Sequence, residues 1–323
     1  MDFIEVCAGA GGLSLGLIQA GFIPKLLVDN NPDCVKTLIE NHPNVNVLLE
    51  NIEDFDTGEY CDLLVGGIPC QSFSQVGQRK GLDDTRGCII YEFIRLINKI
   101  KPKMYLIENV KGLLTLDNGK IFDQILELLI ETGYEINYNV LNAVDYGVAQ
   151  KRERLFIVGF KNPTEYKFPE KTGIGKVLRD VIYDLRDNQM EGAKYSEKKI
   201  NLYRQIGQGE CWKSLPEDLQ KEYLGKSYLS GGGKTGILYR TSYDKPCLTL
   251  LCSPTQKQTE RCHPEFNRPL TIMEYARIQS FPDDYKFIGS MSSMYKQIGN
   301  AVPVKLAYHI GKSIAEVAKW DLD

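Results

Sequence analysis

Two side chains in this sequence stand where a reactive pair would work. Cys70 follows Pro69 directly, past the apolar run Asp62-Leu63-Leu64-Val65, where the chain passes into the polar, glycine-rich, arginine-bearing stretch GGIPCQSFSQVGQRKGLDDTRG. A strand ending there delivers the thiol to the functional edge of a sheet, and the proline fixes the backbone just before it. Thirty-eight residues later the next apolar run closes on Glu108-Asn109, in IENVKGL. A thiolate is a nucleophile, and a carboxyl buried beside it is pushed toward its protonated form. Adjacent strand ends would therefore supply a nucleophile and a proton donor together. The other eight cysteines, Cys7, Cys34, Cys61, Cys88, Cys211, Cys247, Cys252 and Cys262, form no CxxC pair, and nine is an odd number. That argues against a disulfide framework or a zinc knuckle, and no metal site is expected; most of these thiols read as buried and reduced.

Positioning such a pair requires strands that end side by side. Phe3–Cys7, Lys25–Val28, Val45–Leu49, Asp62–Val65, Met104–Glu108, Ile136–Leu141 and Leu155–Val158 read as strands. Amphipathic stretches lie between several of them, such as Ile121, Phe122, Ile125, Leu128 and Leu129 before Gly133. The alternation predicts an α/β fold with a doubly wound, mostly parallel sheet, whose ligands bind at the carboxyl ends of the strands. FIEVCAGAGGLSLGLIQAGF (Phe3–Phe22) is a strand, a glycine turn and a helix. It misses the dinucleotide fingerprint GxGxxG, because Ser14 stands where a third glycine should follow Gly9 and Gly11. An acidic residue about twenty positions on, Asp29 after KLLV, suits a ligand with a ribose and no pyrophosphate, such as S-adenosylmethionine. A plain βαβ packing turn has the same look, so the turn alone leaves both readings open.

Beyond Phe160 the alternation stops. Short irregular pieces follow, with Gly207, Gly209 and LSGGGKTG (Leu229–Gly236), before helical texture returns in LTIMEYARIQSF and PVKLAYHIGKSIAEVAKW. We expect a catalytic and cofactor-binding domain over 1–160, joined by a C-terminal helix in 295–323, and a second, smaller, irregular domain over 161–294. The net charge is −3, which argues against a protein that coats nucleic acid indiscriminately. Its distribution is uneven: residues 1–160 hold 14 Lys/Arg against 22 Asp/Glu, whereas residues 161–268 hold 19 against 14. A polyanion would dock on the basic segment and the loops facing it. The start, Met1-Asp2-Phe3-Ile4-Glu5, has no basic n-region, and no run of 18 apolar residues occurs, so a cytoplasmic protein without a membrane partner is expected.

Cytosine is a substrate that needs a thiol and an acid. Its C5 is too electron-poor to attack a methyl donor until a thiolate has added at C6 and N3 has been protonated. Six segments in order then resemble the motif set of the bacterial-type DNA cytosine-5 methyltransferases. They are Phe3–Gly12, Pro69-Cys70-Gln71, Glu108-Asn109-Val110, QKRER (Gln150–Arg154), RPLTIMEYARIQSFPDDY (Arg268–Tyr285) and QIGNAVP (Gln297–Pro303). The match covers nearly all of the chain outside Phe160–Asn267. By that resemblance the first domain has the class I S-adenosylmethionine-dependent methyltransferase fold, and the variable segment is the target-recognition domain that reads the major groove. Cys70 becomes the nucleophile, Glu108 the partner of N3, and Arg152 and Arg154 the side chains that hold the flipped base and its surroundings. Cys7, Ala8, Gly9, Gly11, Gly12, Leu13, Asp29, Asn30, Asn51, Ile52 and Pro69 would line the cofactor, with Asn300, Ala301 and Val302 at its methionine end. Gln71 to Arg86 becomes a loop that closes over DNA, with Gln71, Ser72, Ser74, Arg79 and Arg86 as contacts. In the second domain Thr249-Leu250 fits a short Thr-Leu element of such readers, and Lys234, Arg240, Lys257 and Arg261 are its candidate DNA contacts. A monomer on double-stranded DNA is implied, with a cognate restriction endonuclease as a genetic rather than a physical partner.

Two positions depart from the family pattern. Cys7 stands where a phenylalanine is usual near the adenine, and Asn51 where an aspartate usually meets the adenine amino group; Asn51 still offers a carbonyl oxygen as acceptor. The nearest alternative keeps the chemistry and changes the substrate, a tRNA cytosine-5 methyltransferase; the basic insert of over a hundred residues favours DNA. A zinc nucleobase deaminase also flips cytosine, but it needs PCxxC, and Cys70 is followed by Gln71-Ser72-Phe73. Intact Cys70, Glu108, Arg152 and Arg154 argue against an inactive DNA-binding relative.

Overall fold

The computed structural model describes residues 1–68, 89–163, 165–186, 191–229 and 236–318. Each apolar run read as a strand forms one: β1 (Asp2–Val6), β2 (Ile23–Asp29), β3 (Asn46–Leu49), β4 (Leu63–Gly67), β5 (Met104–Val110), β6 (Glu135–Asn142) and β8 (Glu153–Phe160). A two-residue strand, β7 (Gln150–Lys151), precedes β8 and belongs elsewhere. The seven pair in the order β3-β2-β1-β4-β5-β8-β6. From β3 to β5 every pairing is parallel, while β8 runs antiparallel between β5 and β6. Helices α1 (Gly12–Gln19), α2 (Pro32–Asn41), α3 (Ile89–Ile100) and α4 (Lys120–Glu131) supply the crossovers and flanks. Their apolar spacing shows why: α3 buries Ile90, Phe93, Leu96, Ile97 and Ile100, one stripe at helical period. That stripe joins Ile4, Val6, Leu64, Tyr105 and Ile107 in a continuous core beneath the sheet's functional edge.

By its contacts the chain divides into two units. The first comprises Met1–Tyr146, Glu153–Thr172 and Ala301–Asp323, and the second Gly147–Arg152 and Gly173–Asn300. The second unit carries little sheet. Its strand β9 (Cys247–Leu248) pairs in parallel with β7, and its short helices are α5 (Arg179–Ile182), α6 (Glu197–Tyr203), α7 (Glu217–Leu224), α8 (Ile272–Ile278) and α9 (Met291–Asn300). A core of Tyr195, Leu202, Tyr203, Ile206, Trp212, Leu215, Leu224, Ile237, Leu238 and Cys262 holds it together. Helix α8 starts on a capping box: Thr271 accepts from the Glu274 amide while the Glu274 carboxylate accepts from the Thr271 amide.

The chain then returns to the first unit with α10 (Val304–Ala318), which packs on α1. Small residues allow the close approach. A Cβ on Gly16 would stand 2.4 Å from Ala307 Cβ and 2.6 Å from the Val304 carbonyl oxygen, and one on Gly311 would stand 2.7 Å from Ala20 Cβ. No helix among the described residues is long and apolar enough to cross a membrane. Because backbone as well as side chain opposes a Cβ at Gly16, Gly16→Ala is expected to force α1 and α10 apart. The cost is about 1–3 kcal/mol, as for other overpacked cores, and it should appear as a lower urea midpoint with an unchanged slope.

Candidate active site

Strand register fixes the central feature. Glu108 lies opposite Phe156 and Val110 opposite Arg154 in the antiparallel β5–β8 pair, so Glu108 and Arg154 share one face as diagonal neighbours. A long side chain spans that diagonal: Arg154 Nε donates to Glu108 Oε1 at 2.8 Å, with both side chains largely buried. Glu108 is also in register with Gly67 at the end of the parallel neighbour β4. Gly67 carries no side chain to intrude; a Cβ there would lie 3.9 Å from Glu108 Oε2 and 3.4 Å from the Cys7 carbonyl oxygen. Next in sequence, Asn109 stitches the two strands together. Its Nδ2 donates to the Ile68 carbonyl at 2.8 Å, and the Ile68 amide donates to the Glu108 carbonyl at 3.2 Å. The chain therefore enters Pro69-Cys70 from a residue tied at both its amide and its carbonyl. Pro69, Cys70, Gln71, Ser72, Ser74, Arg79, Arg86 and Lys234 lie outside the described residues.

On the other side of β4, the turn after β1 is built for close approach. Cys7, Gly9 and Gly11 have φ of 54, 57 and 81°, and Gly11 caps α1, whose first residues are Gly12 and Leu13. The Ala8 amide donates to the Val28 carbonyl and its own carbonyl accepts from Gly11, so the turn is pinned to β2. At the end of β2, Asp29 faces the turn and accepts from the amides of Gly9 at 2.7 Å and Asn31 at 2.8 Å. Each carboxylate oxygen has a second acceptor position. Among the described residues nothing lies within 4 Å of where a Gly9 Cβ would stand, beside the anchored Asp29 carboxylate.

Beneath the turn sits a residue the sequence reading gave no role. Glu5 is buried and bonded to the Ser14 hydroxyl of α1. Burial above all, with the nearby Asp29 and Glu108 carboxylates, pushes its pKa up to about 8 against the opposing Ser14 bond. A carboxyl that stays protonated there limits the negative charge under the site. Burial likewise pushes the Cys7 thiol up to about 12, with Asp29, Glu53 and Glu5 adding to it, so Cys7 is a neutral packing side chain.

Asn51 follows β3. Its Oδ1 accepts from Asn30 Nδ2 at 3.1 Å, and its Nδ2 donates to Asp54 Oδ2 at 3.3 Å, while Ile52 beside it is buried.

Arg152 does not share a target with Arg154, although the alternating spacing suggested one face for both. In the second unit Arg152 is buried, donating from Nη1 to the Leu250 carbonyl at 3.0 Å and from Nη2 to the carbonyls of Gly299 and Asn300 at 2.8 and 3.3 Å. The Thr-Leu element is tied to the same place: Thr249 Oγ1 donates to the Lys151 carbonyl and the Leu250 amide to Gln150 Oε1. Gln150 Nε2 in turn donates to Gln279 Oε1, and Gln279 Nε2 to the Ile298 carbonyl. Asn300 Oδ1 accepts from the Cys252 thiol at 2.9 Å. Ala301 and Val302 are buried and lead into α10 in the first unit.

The basic segment holds two corrections. Arg240, expected to meet DNA, is buried with its guanidinium donating to the carbonyls of Tyr203, Ile206, His263, Pro264 and Phe266 and to Asn267 Oδ1. These contacts engage all three of its nitrogens inside the unit, leaving no donor group turned outward. Arg261 is also buried, with Nη1 on the Glu260 carbonyl and Nη2 on that of Thr249. A unit with little sheet leaves many carbonyls without ladder partners, and arginine serves them; charge counting cannot tell such a residue from a surface one. Lys257 is exposed, seated over the Tyr223 ring with Nζ on the Tyr223 carbonyl.

A mostly parallel sheet with an amide-anchored carboxylate at one strand end and a buried acid–arginine pair three strands further on suits an enzyme whose ligand lies across the carboxyl edge. The comparisons make this specific. The family described as C-5 cytosine-specific DNA methylase matches residues 1–316, and the chain belongs to it. It is 45% identical to Type II methyltransferase M.Sau96I of Staphylococcus aureus over 97% of this chain and 75% of that one. With Type II methyltransferase M.Eco47II of Escherichia coli the identity is also 45%, over 97% and 78%. A crystal structure of a DNA modification methyltransferase encoded within an E. coli prophage superposes with a TM-score of 0.73 at 25% identity, covering 99% of each chain.

The two arginines should separate experimentally. Arg154→Met removes the guanidinium from the buried Glu108 carboxyl and is expected to slow single-turnover methyl transfer by about 10²–10³-fold, the scale of losing one preorganised electrostatic group, and to lower thermal stability because a buried charge loses its partner. Arg152→Met leaves buried carbonyls unbonded at about 1–3 kcal/mol each, and should lower the melting temperature first.

Proposed function

We propose that this DNA cytosine-5 methyltransferase takes its methyl group from S-adenosylmethionine. Its target is a cytosine flipped out of a short specific site in duplex DNA, within a restriction–modification system. The observation that carries the reading is the Arg154–Glu108 pair at the end of β5, beside the β4 terminus that leads directly to Pro69-Cys70. The residues present fit the cofactor: Asp29 presents a carboxylate anchored by two backbone amides to meet ribose hydroxyls, and among the described residues nothing fills the space over Gly9. Cys7, Ala8, Gly11, Gly12, Leu13, Asn30, Asn51, Ile52 and Pro69 complete that binding edge, with Asn300, Ala301 and Val302 toward its methionine end. When bound, S-adenosylmethionine supplies an electrophilic methyl group on sulfur.

The chain's own residues make cytosine able to accept it. The Cys70 thiolate forms a bond from sulfur to C6 as Glu108, in its protonated form, delivers its proton to N3, and the ring electrons move to C5, which becomes the nucleophile. After methylation a base removes the C5 proton, N3 returns its proton to Glu108, and the C6–sulfur bond breaks to free the Cys70 thiolate. Arg154 holds Glu108 Oε1, which keeps the carboxyl aimed through both half-reactions. The second unit, which holds residues 173–294 of the expected recognition segment, reads the site; Gln71, Ser72, Ser74, Arg79, Arg86, Lys234, Thr249, Leu250 and Lys257 remain the candidate contacts, without Arg240 and Arg261. The chain acts as a monomer, and the partner nuclease shares its DNA site rather than a protein interface.

The test is product and adduct together. Incubated with S-adenosylmethionine, the protein should place 5-methylcytosine at one sequence in duplex DNA and leave tRNA unmodified. With 5-fluorocytosine at that position it should form a denaturant-resistant complex, because fluorine at C5 blocks the elimination. Cys70→Ser should abolish both outcomes while retaining duplex binding. A trapped complex that persists in Cys70→Ser, or methylation of tRNA in preference to DNA, would sink the reading.

A further inference from the structure

If S-adenosylmethionine occupies this edge, as proposed above, the strand order decides where its base lies. Asp29 ends β2 and Glu108 lies near the end of β5, on opposite sides of β1 in the order β3-β2-β1-β4-β5. A cofactor with its ribose on Asp29 and its methyl group delivered toward β4 and β5 must extend its base the other way, toward the end of β3. Asn51 stands there, with Asn30 beside it.

An asparagine at that place is ambiguous in a way an aspartate is not. One end of the amide donates and the other accepts, and a half-turn about χ2 exchanges them. The adenine amino group is a donor, so only an outward Oδ1 serves it. Asp54 removes the ambiguity. Its carboxylate accepts only, and Asn51 Nδ2 donates to it at 3.3 Å, so Oδ1 is the end turned toward Asn30. The backbone holds Asp54 in place. The amides of Asp54 and Phe55 both donate to the Asn51 carbonyl, at 3.1 and 2.9 Å, folding residue 54 back over residue 51. Ile52 and Phe55 anchor the turn in the core, and Arg95 Nη2 on α3 donates to both their carbonyls, at 3.0 and 2.8 Å. The Glu50 amide ties the start of the turn to the Asp29 carbonyl at 3.1 Å, which sets the spacing between the ribose and base positions.

We infer that Asp54 is a positioning residue for cofactor recognition: it locks the Asn51 amide with Oδ1 presented as the acceptor for the adenine amino group. Asn30 shares that oxygen, whose second lone pair serves the ligand. The chain thus recovers with two residues the acceptor that a single aspartate at position 51 would provide.

Calorimetric binding of S-adenosylhomocysteine and of its 6-deamino analogue, in which hydrogen replaces the amino group, tests this without turnover. The wild-type protein should prefer the amino form. Asp54→Ala should reduce that preference by about 2–10-fold, the range of one net hydrogen bond, while affinity for the 6-deamino analogue stays the same. Asp54→Asn can accept from Asn51 Nδ2 or donate to its Oδ1, so it restores the ambiguity and should reduce the preference as Asp54→Ala does. Equal weakening of both ligands by Asp54→Ala would make Asp54 part of the scaffold and overturn the inference. So would a preference kept in full by Asp54→Asn, whose amide leaves the Asn51 orientation unset. A wild-type protein that binds neither ligand would overturn the cofactor reading and this inference with it, whereas undiminished discrimination in Asp54→Ala would overturn the inference alone.

Discussion

The ion pair between Arg154 and Glu108 is the constraint on which the first unit's architecture turns. Two charges taken out of water are costly unless they meet with good geometry. Here the geometry comes from one topological choice, the antiparallel insertion of β8 between β5 and β6. Were β8 parallel like its neighbours, its first residues would lie at the far edge of the sheet and Arg154 would not reach Glu108. Reversal brings the start of β8 to the carboxyl end of β5, where the parallel strands present their ligands. Asn109 then uses the same strand end to tie Ile68, so acid, arginine and the approach to Cys70 share one rigid frame.

Opposite that frame lies a region managed for negative charge. Glu5, Asp29 and Glu108 lie near one another, and Glu108 pairs with Arg154. Asp29 is stabilised instead by backbone amides. Glu5, raised to about 8 by burial and by these neighbours, is protonated at neutral pH. Its proton is lost only as the pH climbs through that value, and since a free glutamate titrates far lower, the strain of ionising it grows with pH from the acidic side. The contribution of Glu5 to stability is therefore full below about pH 4.5 and is lost progressively as the pH rises to about 8.

Much of this was legible in the sequence, for physical reasons. Apolar runs of four to eight residues separated by amphipathic stretches gave all seven strands of the main sheet, because a sheet covered on both faces has to be apolar throughout. Asp29, Glu108 and the glycine turn could be placed at the ends of strands, on the edge where such sheets bind ligands. What escaped was anything decided by direction rather than position. The QKRER spacing suggested a shared face, yet β7 ends before Arg152 and β8 begins after it, and the two guanidiniums serve different partners. Arg240 and Arg261 counted as positive charge, but they bond to carbonyls that the strand-poor second unit leaves without ladder partners. Glu5 was hidden in an apolar strand, and Asp54 in a turn that reads as ordinary surface. Neither carries a signal without knowing that Ser14 or Asn51 lies across from it.

The central claim is that Glu108, held by Arg154, protonates cytosine N3 so that C5 becomes reactive. Exchange at C5 reads that step without methyl transfer. In duplex DNA tritiated at cytosine C5, with S-adenosylhomocysteine in place of the methyl donor, the wild-type protein should release tritium to water at the target position. Glu108→Gln should slow that release and methyl transfer by a similar factor, about 10²–10⁴, the range for a lost general acid, with duplex binding unchanged. Tritium release at the full wild-type rate from Glu108→Gln would contradict the account.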